Sequence, residues 1–401
     1  MDTKTYIESE ELVGAHNYKP LPVVLEKGEG VWLWDIEGKK YLDFMSAYSA
    51  VSFGHKHPRI IKALVEQANK LSVTSRAFYT EPMMPFLKKL CDITGLERAL
   101  PMNSGAEAVE TAIKAARKWG YEVKKIPDDQ AEIIVAENNF HGRTTTISGF
   151  SSEPTYKKNF GPFSPGFITV PFADVQALER AITPNTCAVL FEPAQGEAGI
   201  NFGTPGWMRH CLEVCKANNV LMILDEIQSG MGRTGQTFAY QHEGIKPDGV
   251  IIGKALGGGV LPVSAFVSTN TVMDVYTPGT HGSTFGGNPL AAHVALEAMN
   301  VLSEENLVQN SEKLGVVLMR TLKKINSPLI KDVRGKGLWV GVEIDSRLPA
   351  ARVCQTLMEH GVLTKEAHET VIRIAPPLTI DEETLVWGVS QLEKSLNELN
   401  Q

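Results

Sequence analysis

The sequence predicts an α/β protein: a large domain on a mostly parallel sheet, joined to a smaller α+β domain. Three observations carry this. Five short apolar runs, EIIVAE, FITVPF, TCAVLFEP, NVLMILDE and GVIIG, are rich in β-branched side chains, as strands covered on both faces are. Helical periodicities alternate with these runs, which is the pattern of a parallel sheet with crossover helices. Past residue 286 the alternation gives way to two long helical stretches and two further strand candidates.

In chain order, VWLWDIEGKKYLDF alternates apolar and polar residues around Glu37-Gly38 and reads as a hairpin. It is expected to pack with the C-terminal domain or a partner subunit. Ile60, Ile61, Leu64, Ala68 and Leu71 recur at helical spacing, as do Ala108, Val109, Ala112, Ile113 and Ala116. Lys124 to Gln130 reads as a charged surface loop. After the five strand runs comes a helix over Pro289–Asn306, then a second helical stretch. GLWVGVEID and VIRIA are the last strand candidates. The expected division is an N-terminal arm and hairpin (1–45), a large domain (46–290) and a small domain (291–401).

The 401 residues suit two to three domains at about 150 residues each. With 43% apolar and 21% charged residues the chain can bury a large core, which excludes disordered and fibrous classes. A net charge of −7 lacks the basic footprint of a nucleic-acid binder. The odd, widely spaced set of five cysteines suits reduced thiols. Cys211 and Cys215 share a helix reading with no second Cys/His pair, so no metal site is expected. The N-terminus has no apolar leader, and no run reaches the ~20 apolar residues of a membrane span. A cytoplasmic protein is expected.

Gly230-Met231-Gly232-Arg233-Thr234-Gly235 matches G-x-G-x-x-G after a strand reading. Glu226 to Ser229 intervene, and no clean helix follows. A plain glycine-rich loop explains it better than a dinucleotide site.

Two other residues say more. Lys254 ends the apolar run GVIIGKALGGG. It is either a strand-end lysine reaching solvent or an amine with depressed pKa able to form an imine. Asp225 ends ILDEIQ, at the carboxyl end of a strand where α/β proteins bind ligands; its plainer reading is a turn acid. Together they supply what pyridoxal phosphate needs: an amine for the aldehyde, and a carboxylate to keep the ring nitrogen protonated. Ser104-x-x-Glu107 is a capping box opening a helix. Ser104, Gly105 and Ala106 at that helix start would also let backbone amides approach a phosphate.

With LDEIQSGMGRTG, GKALGGG and HGSTFGGNP in hand, the chain resembles the fold type I, class-III pyridoxal-phosphate-dependent aminotransferases over essentially its whole length. GAHNYKPLP, SRAFY, PMNSGAEAVETA, FHGRT and EPAQGEAG look most like the ornithine-handling members. The resemblance implies these roles. Lys254 would bond the cofactor and move the proton, and Asp225 would pair with the pyridinium. Gln228 would bind the phenolic oxygen, and Phe140 would stack on the ring. Glu192 would support the pocket beneath Asp225. Ser283 and Thr284 would reach the phosphate from the neighbouring subunit of a homodimer. His141 stands where some members carry tryptophan, at the edge of that ring stack.

For substrates, the resemblance implies L-ornithine and 2-oxoglutarate, by a ping-pong route through pyridoxamine phosphate. The expected products are glutamate, and glutamate 5-semialdehyde that cyclises. Tyr18 and Tyr48 would meet ornithine. Arg143 would bind a far carboxylate, and Arg373 an α-carboxylate. Glu197 would pair with Arg373 when no α-carboxylate is there, so that the arginine is never desolvated alone. Two other readings stand behind this one: a sibling enzyme or aminomutase using N-acetylornithine or another ω-amine, and a nicotinamide-dependent oxidoreductase resting on the glycine match. A cofactor-holding protein without turnover is a third.

Overall fold

The computed structural model describes residues 1–400. Its central element is a seven-stranded sheet. Across the sheet the strands run Arg98–Met102, Ser264–Ser268, Gly249–Ile252, Leu221–Asp225, Thr186–Phe191, Glu132–Ala136 and Phe167–Val170. Only Ser264–Ser268 is antiparallel to its neighbours. The five apolar runs become the parallel body of this sheet. Thr186–Phe191, Leu221–Asp225 and Gly249–Ile252 are buried at every position, which is why their sequences show no alternation.

Two strands had no clear sequence signal. Arg98–Met102 holds Pro101, which is tolerated because this strand forms the sheet edge. Ser264–Ser268 follows the glycine run directly, with no helix between.

Helix Gly105–Glu122 packs on this sheet through Ala108, Val109, Ala112, Ala115 and Ala116, all fully buried. Its small side chains allow close approach to the sheet. Helix Pro58–Lys70 begins with proline at its first turn. Its buried face is Ile60, Ala63 and Gln67, whereas the expected Ala68 and Leu71 are exposed. The Gln67 amide caps the helix end on the Leu71 carbonyl at 2.8 Å, so a polar residue takes an inward position. Cys211 and Cys215 lie one turn apart on helix Trp207–Ala217, both buried in apolar core.

The hairpin is Trp32–Asp35 with Lys40–Asp43, turning through Gly38 at φ 84°. Val362–Leu363 extends it in parallel, so residues far apart in sequence close one sheet. Residues 330–374 form a second antiparallel sheet, ordered Ile330–Lys336, Trp339–Ile344, Val371–Ile374, Glu366–Ala367. Helices Leu307–Leu322 and Ala350–Glu359 pack on it, and Glu382–Leu399 packs on those two helices; Pro289–Glu304 packs instead on Pro58–Lys70 and Met83–Thr94. Ahead of the hairpin, helix Thr3–Glu11 buries none of its residues. Among the described residues no helix is long and apolar enough to cross a membrane.

Candidate active site

Leu221–Asp225 and Gly249–Ile252 are parallel neighbours, with Asp225 opposite Ile251. Their carboxyl ends therefore emerge side by side, and Lys254 follows two residues past the second strand. Lys254 opens a short 3₁₀ turn at φ 46°, the left-handed region. Non-glycine residues held there cluster at functional sites. Burial disfavours its ammonium and lowers its pKa; Arg373 pushes the same way, while Glu197, Asp225 and Glu192 oppose it.

Asp225 is 5% exposed. One oxygen accepts the Ile227 amide at 3.0 Å, the turn role its position suggests. The other lies 2.7 Å from His141 Nδ1. Burial opposes a charged imidazole, but the hydrogen bond and charge of Asp225 win and raise the His141 pKa. The His141 side chain is fully enclosed and lines the same cavity as Phe140 and Asp225. Its only sequence signal was adjacency to Phe140 in FHGRT. The Phe140 amide donates to Glu192 at 3.0 Å. Burial pushes the Glu192 carboxyl up to about 8.

These side chains line one cavity of about 200 Å³ with Gly105, Ala106, Gly142 and Gln228. At its rim Ser104 caps the helix start. The Ser104 hydroxyl accepts the Glu107 amide at 3.2 Å and Glu107 returns to the Ser104 amide at 2.7 Å. The amides of Gly105 and Ala106 have no acceptor within the helix, and the helix dipole favours an anion there. A Cβ on Gly105 would lie 2.8 Å from Ile227 Cδ1, so a side chain there would have to displace the Ile227 terminus. The Gln228 Nε2 atom is buried without a partner. A Cβ on Gly196 would come within 2.0 Å of Gln228 Oε1, so the glycine makes room for that amide. An acid and an amine at the cavity floor, free helix amides at one end and an orphaned amide donor form a donor set that fits pyridoxal phosphate.

A second cluster adjoins the first. Arg373, in the centre of Val371–Ile374, is fully buried. Its Nη2 donates to Glu197 at 3.0 Å, while Nε and Nη1 have no partner. The guanidinium lies 4.8 Å from the centre of the Tyr48 ring. Burial works against the Glu197 carboxylate, but Arg373 and Lys254 outweigh it and lower its pKa. Tyr48 sits in a left-handed turn, Ser46 to Ser49, with every φ positive.

Other expected residues do not line the cofactor cavity. Tyr18 is 70% exposed. Arg143 is exposed and stacks over Tyr156 at 4.6 Å. Ser283 accepts hydrogen bonds from Asn103 and from the Gly286 amide, both at 3.0 Å, and Thr284 is exposed. Neither Ser283 nor Thr284 lines this chain's own cavity. The loop Gly230–Gly235 is no nucleotide fingerprint, because no α-helix opens from it; the next element is the short 3₁₀ turn Ala239–Glu243.

Comparison with known proteins fits this geometry. Residues 13–396 match the family model described as aminotransferase class-III. The ornithine aminotransferase of Brevibacillus brevis is 55% identical over 98% of both chains, and that of Bacillus cereus strain Q1 is 52% identical over 99% of this chain and 100% of its own. The ornithine aminotransferase structure from Toxoplasma gondii superposes with a TM-score of 0.98 at 43% identity, covering 100% of this chain and 96% of that one. The acetylornithine aminotransferase structure from Elizabethkingia anophelis gives 0.90 at 48% identity, covering 99% and 100%. With sheet order, lysine and acid placed as they are and the family model spanning nearly its whole length, the chain belongs to the class-III aminotransferases.

Proposed function

We propose that this chain is a pyridoxal-phosphate-dependent ornithine δ-aminotransferase. It moves the δ-amino group of L-ornithine to 2-oxoglutarate, giving glutamate and glutamate 5-semialdehyde, which cyclises because its free α-amine reaches its own aldehyde. The observation that carries the reading is the Glu197–Arg373 pair beside the lysine cavity. A donor reacting through its terminal amine brings no α-carboxylate to Arg373, so an uncompensated buried guanidinium would oppose binding. Glu197 removes that cost. 2-Oxoglutarate brings an α-carboxylate that takes over Arg373 and its two free donors bidentately.

When bound, pyridoxal phosphate supplies a protonated ring that accepts the electron pair left on the substrate carbon. Around it the chain's residues divide the work. Asp225, held by His141, keeps the ring nitrogen protonated. The Nζ atom of Lys254, its pKa lowered by burial, would take the proton from the substrate carbon and deliver it to the cofactor, and would run the transfer in reverse for the second substrate. The amides of Gly105 and Ala106, with the Ser104 cap, hold the phosphate. Gln228 donates to the phenolic oxygen, Phe140 covers one ring face, and Glu192 fixes the Phe140 backbone. Tyr18 and Tyr48 receive ornithine, and Arg143 turns from Tyr156 to meet the far carboxylate.

The assembly is a homodimer in which Ser283 and Thr284 complete the partner's phosphate site; their place outside this chain's cavity supports that. Residues 46–290 form the cofactor unit and 291–401, with the N-terminal segment, cover it. The five unpaired cysteines suit a reducing cytoplasm. The likeness to an acetylornithine enzyme favours one second reading. A donor panel of ornithine, N-acetylornithine, 4-aminobutyrate and lysine with 2-oxoglutarate, trapping the cyclised product, separates them. Preference for ornithine is expected; preference for N-acetylornithine overturns the assignment.

A further inference from the structure

The loop Gly230–Gly235 contains the most deeply enclosed cation outside the site. Arg233 is fully buried and has no carboxylate within ion-pair distance among the described residues. Its Nη1 donates to the carbonyls of Leu338 at 3.0 Å and Pro376 at 2.5 Å, and its Nη2 to the Ser52 hydroxyl at 2.9 Å. The arginine's own carbonyl accepts Ser311 Oγ at 3.0 Å, and that hydroxyl also accepts the Leu338 amide at 3.2 Å. A Cβ on Gly337 would stand 2.7 Å from the Arg233 carbonyl oxygen, so the loop and the second sheet touch backbone to backbone.

Each of the three acceptor segments leads to one member of the substrate cluster. Ser52 closes the left-handed turn that carries Tyr48. Pro376 lies three residues beyond Arg373. Leu338 precedes Trp339, whose ring leaves no room for a Cβ on Gly196, the neighbour of Glu197. The first two segments are also stitched directly: Ser46 Oγ donates to the Ala375 carbonyl at 2.7 Å, and the Leu378 amide to the Ser52 carbonyl at 2.7 Å. A planar guanidinium fixes the directions of its acceptors as an ammonium cannot.

We propose that Arg233, which does not line the cofactor cavity, is a positioning residue that sets the spacing of Tyr48, Arg373 and Glu197, and so sets how well an α-carboxylate competes for Arg373. The proposal rests on the carboxylate switch described above. It goes beyond it by assigning the switch's geometry to a residue outside the pocket. An α-carboxylate ligand needs Arg373 aimed at it, whereas ornithine needs Arg373 only to stay neutralised. Loosening the cluster therefore penalises the two substrates unequally.

The test uses holoenzyme carrying Arg233→Lys and, separately, Ser52→Ala, which leaves the arginine in place. Glutarate, a carboxylate probe that cannot react, is titrated by its effect on the cofactor spectrum. The glutamate and ornithine half-reactions are followed in parallel. In Arg233→Lys the glutarate Kd and the glutamate KM are expected to rise roughly tenfold more than the ornithine KM. Ser52→Ala should shift the ratio the same way by a smaller factor. Equal changes for both substrates, or an unchanged ratio in Ser52→Ala, overturn the proposal. If Arg233→Lys does not fold, Ser52→Ala decides alone. Failure of the wild type to react with ornithine would instead sink the functional reading, and glutarate binding would still judge Arg233.

Discussion

The Nδ1 atom of His141 lies 2.7 Å from Oδ2 of Asp225, with both side chains buried. The contact makes the acid at the cavity floor part of a pair. A buried carboxylate left without a partner is costly, and a hydrogen bond to a charged group contributes about 1.5–3 kcal/mol. His141 therefore gives the buried Asp225 carboxylate its side-chain hydrogen-bond partner. The raised His141 pKa has a definite sign: its contribution to stability is full below its ordinary value near ~6.5 and is lost as pH climbs through the folded value.

Replacing His141 by phenylalanine removes the donor and keeps an aromatic ring. Turnover should fall by roughly 10- to 100-fold, the rate equivalent of that hydrogen bond. His141→Asn, whose amide can still donate, should recover part of the loss. Half-reaction rates followed through the cofactor spectrum test this. Equal rates in wild type and His141→Phe would mean that Asp225 needs no support.

Glu226 offers a pH test separate from the cofactor. It is fully buried, accepting the Ser229 hydroxyl at 2.6 Å and the Tyr240 amide at 2.9 Å. Burial pushes its pKa up to about 7, with Asp225 adding to the shift against hydrogen bonds from Ser229 and the Tyr240 and Ala239 amides. The folded chain thus holds a proton that the unfolded chain releases above about 4.5. Stability from this group is full below that value and declines as pH rises towards and past 7. Glu226→Gln keeps the shape, and Ser229 can turn to accept. Its denaturant midpoint should match wild type near pH 5 and exceed it at pH 8, by up to ~3 kcal/mol. A constant difference across that range would contradict the buried acid.

How far these sites could be read in the sequence depended on how local their signals were. Lys254 and Asp225 stood out because each ends an apolar run, and strand ends project into the crevice of a parallel sheet. The Ser104–Glu107 cap was legible because both partners lie within one turn. The His141–Asp225 contact was not legible because the two residues are 84 apart, and nothing local marks a histidine as buried. Arg233 was hidden for the same reason, since its acceptors come from three distant segments. Among the strands, Arg98–Met102 escaped because an edge position tolerates proline, and Val362–Leu363 because two residues carry no period.

Glu197 gives the sharpest functional prediction. On the proposed switch its carboxylate competes with an α-carboxylate for Arg373, so removing it should free the arginine for ordinary amino acids. Glu197→Ala should raise glutamate kcat/KM in the first half-reaction by roughly tenfold or more, while ornithine gains nothing. Because Arg373 then lacks its partner, the cofactor-free protein should lose about 1–3 kcal/mol of stability. Stopped-flow absorbance with each donor measures the first effect and urea unfolding the second. Unchanged glutamate rates would remove the switch from the mechanism.

Ala47 tests the cost of presenting Tyr48. It is exposed, with φ 45° and ψ 51°, inside a turn of four consecutive left-handed residues. For an L-residue that conformation costs about 1–2 kcal/mol, because Cβ crowds the following carbonyl oxygen. The turn persists because its neighbours bind it: Asp43 Oδ1 accepts the amides of Met45 at 2.8 Å and Ser46 at 2.7 Å, and Ser46 reaches the Ala375 carbonyl. Ala47→Gly removes the crowding but gives back about 0.5–1 kcal/mol through the greater freedom of the unfolded glycine. A net gain of about 0.5–1 kcal/mol is expected. Ala47→Val adds a branched carbon where Cβ is already crowded and should lose about 1–2 kcal/mol. Neither change buries or exposes a large side chain, so backbone strain is the variable. Urea midpoints moving in opposite directions would show that the turn is strained in solution; glycine and valine both destabilising would show that it is not.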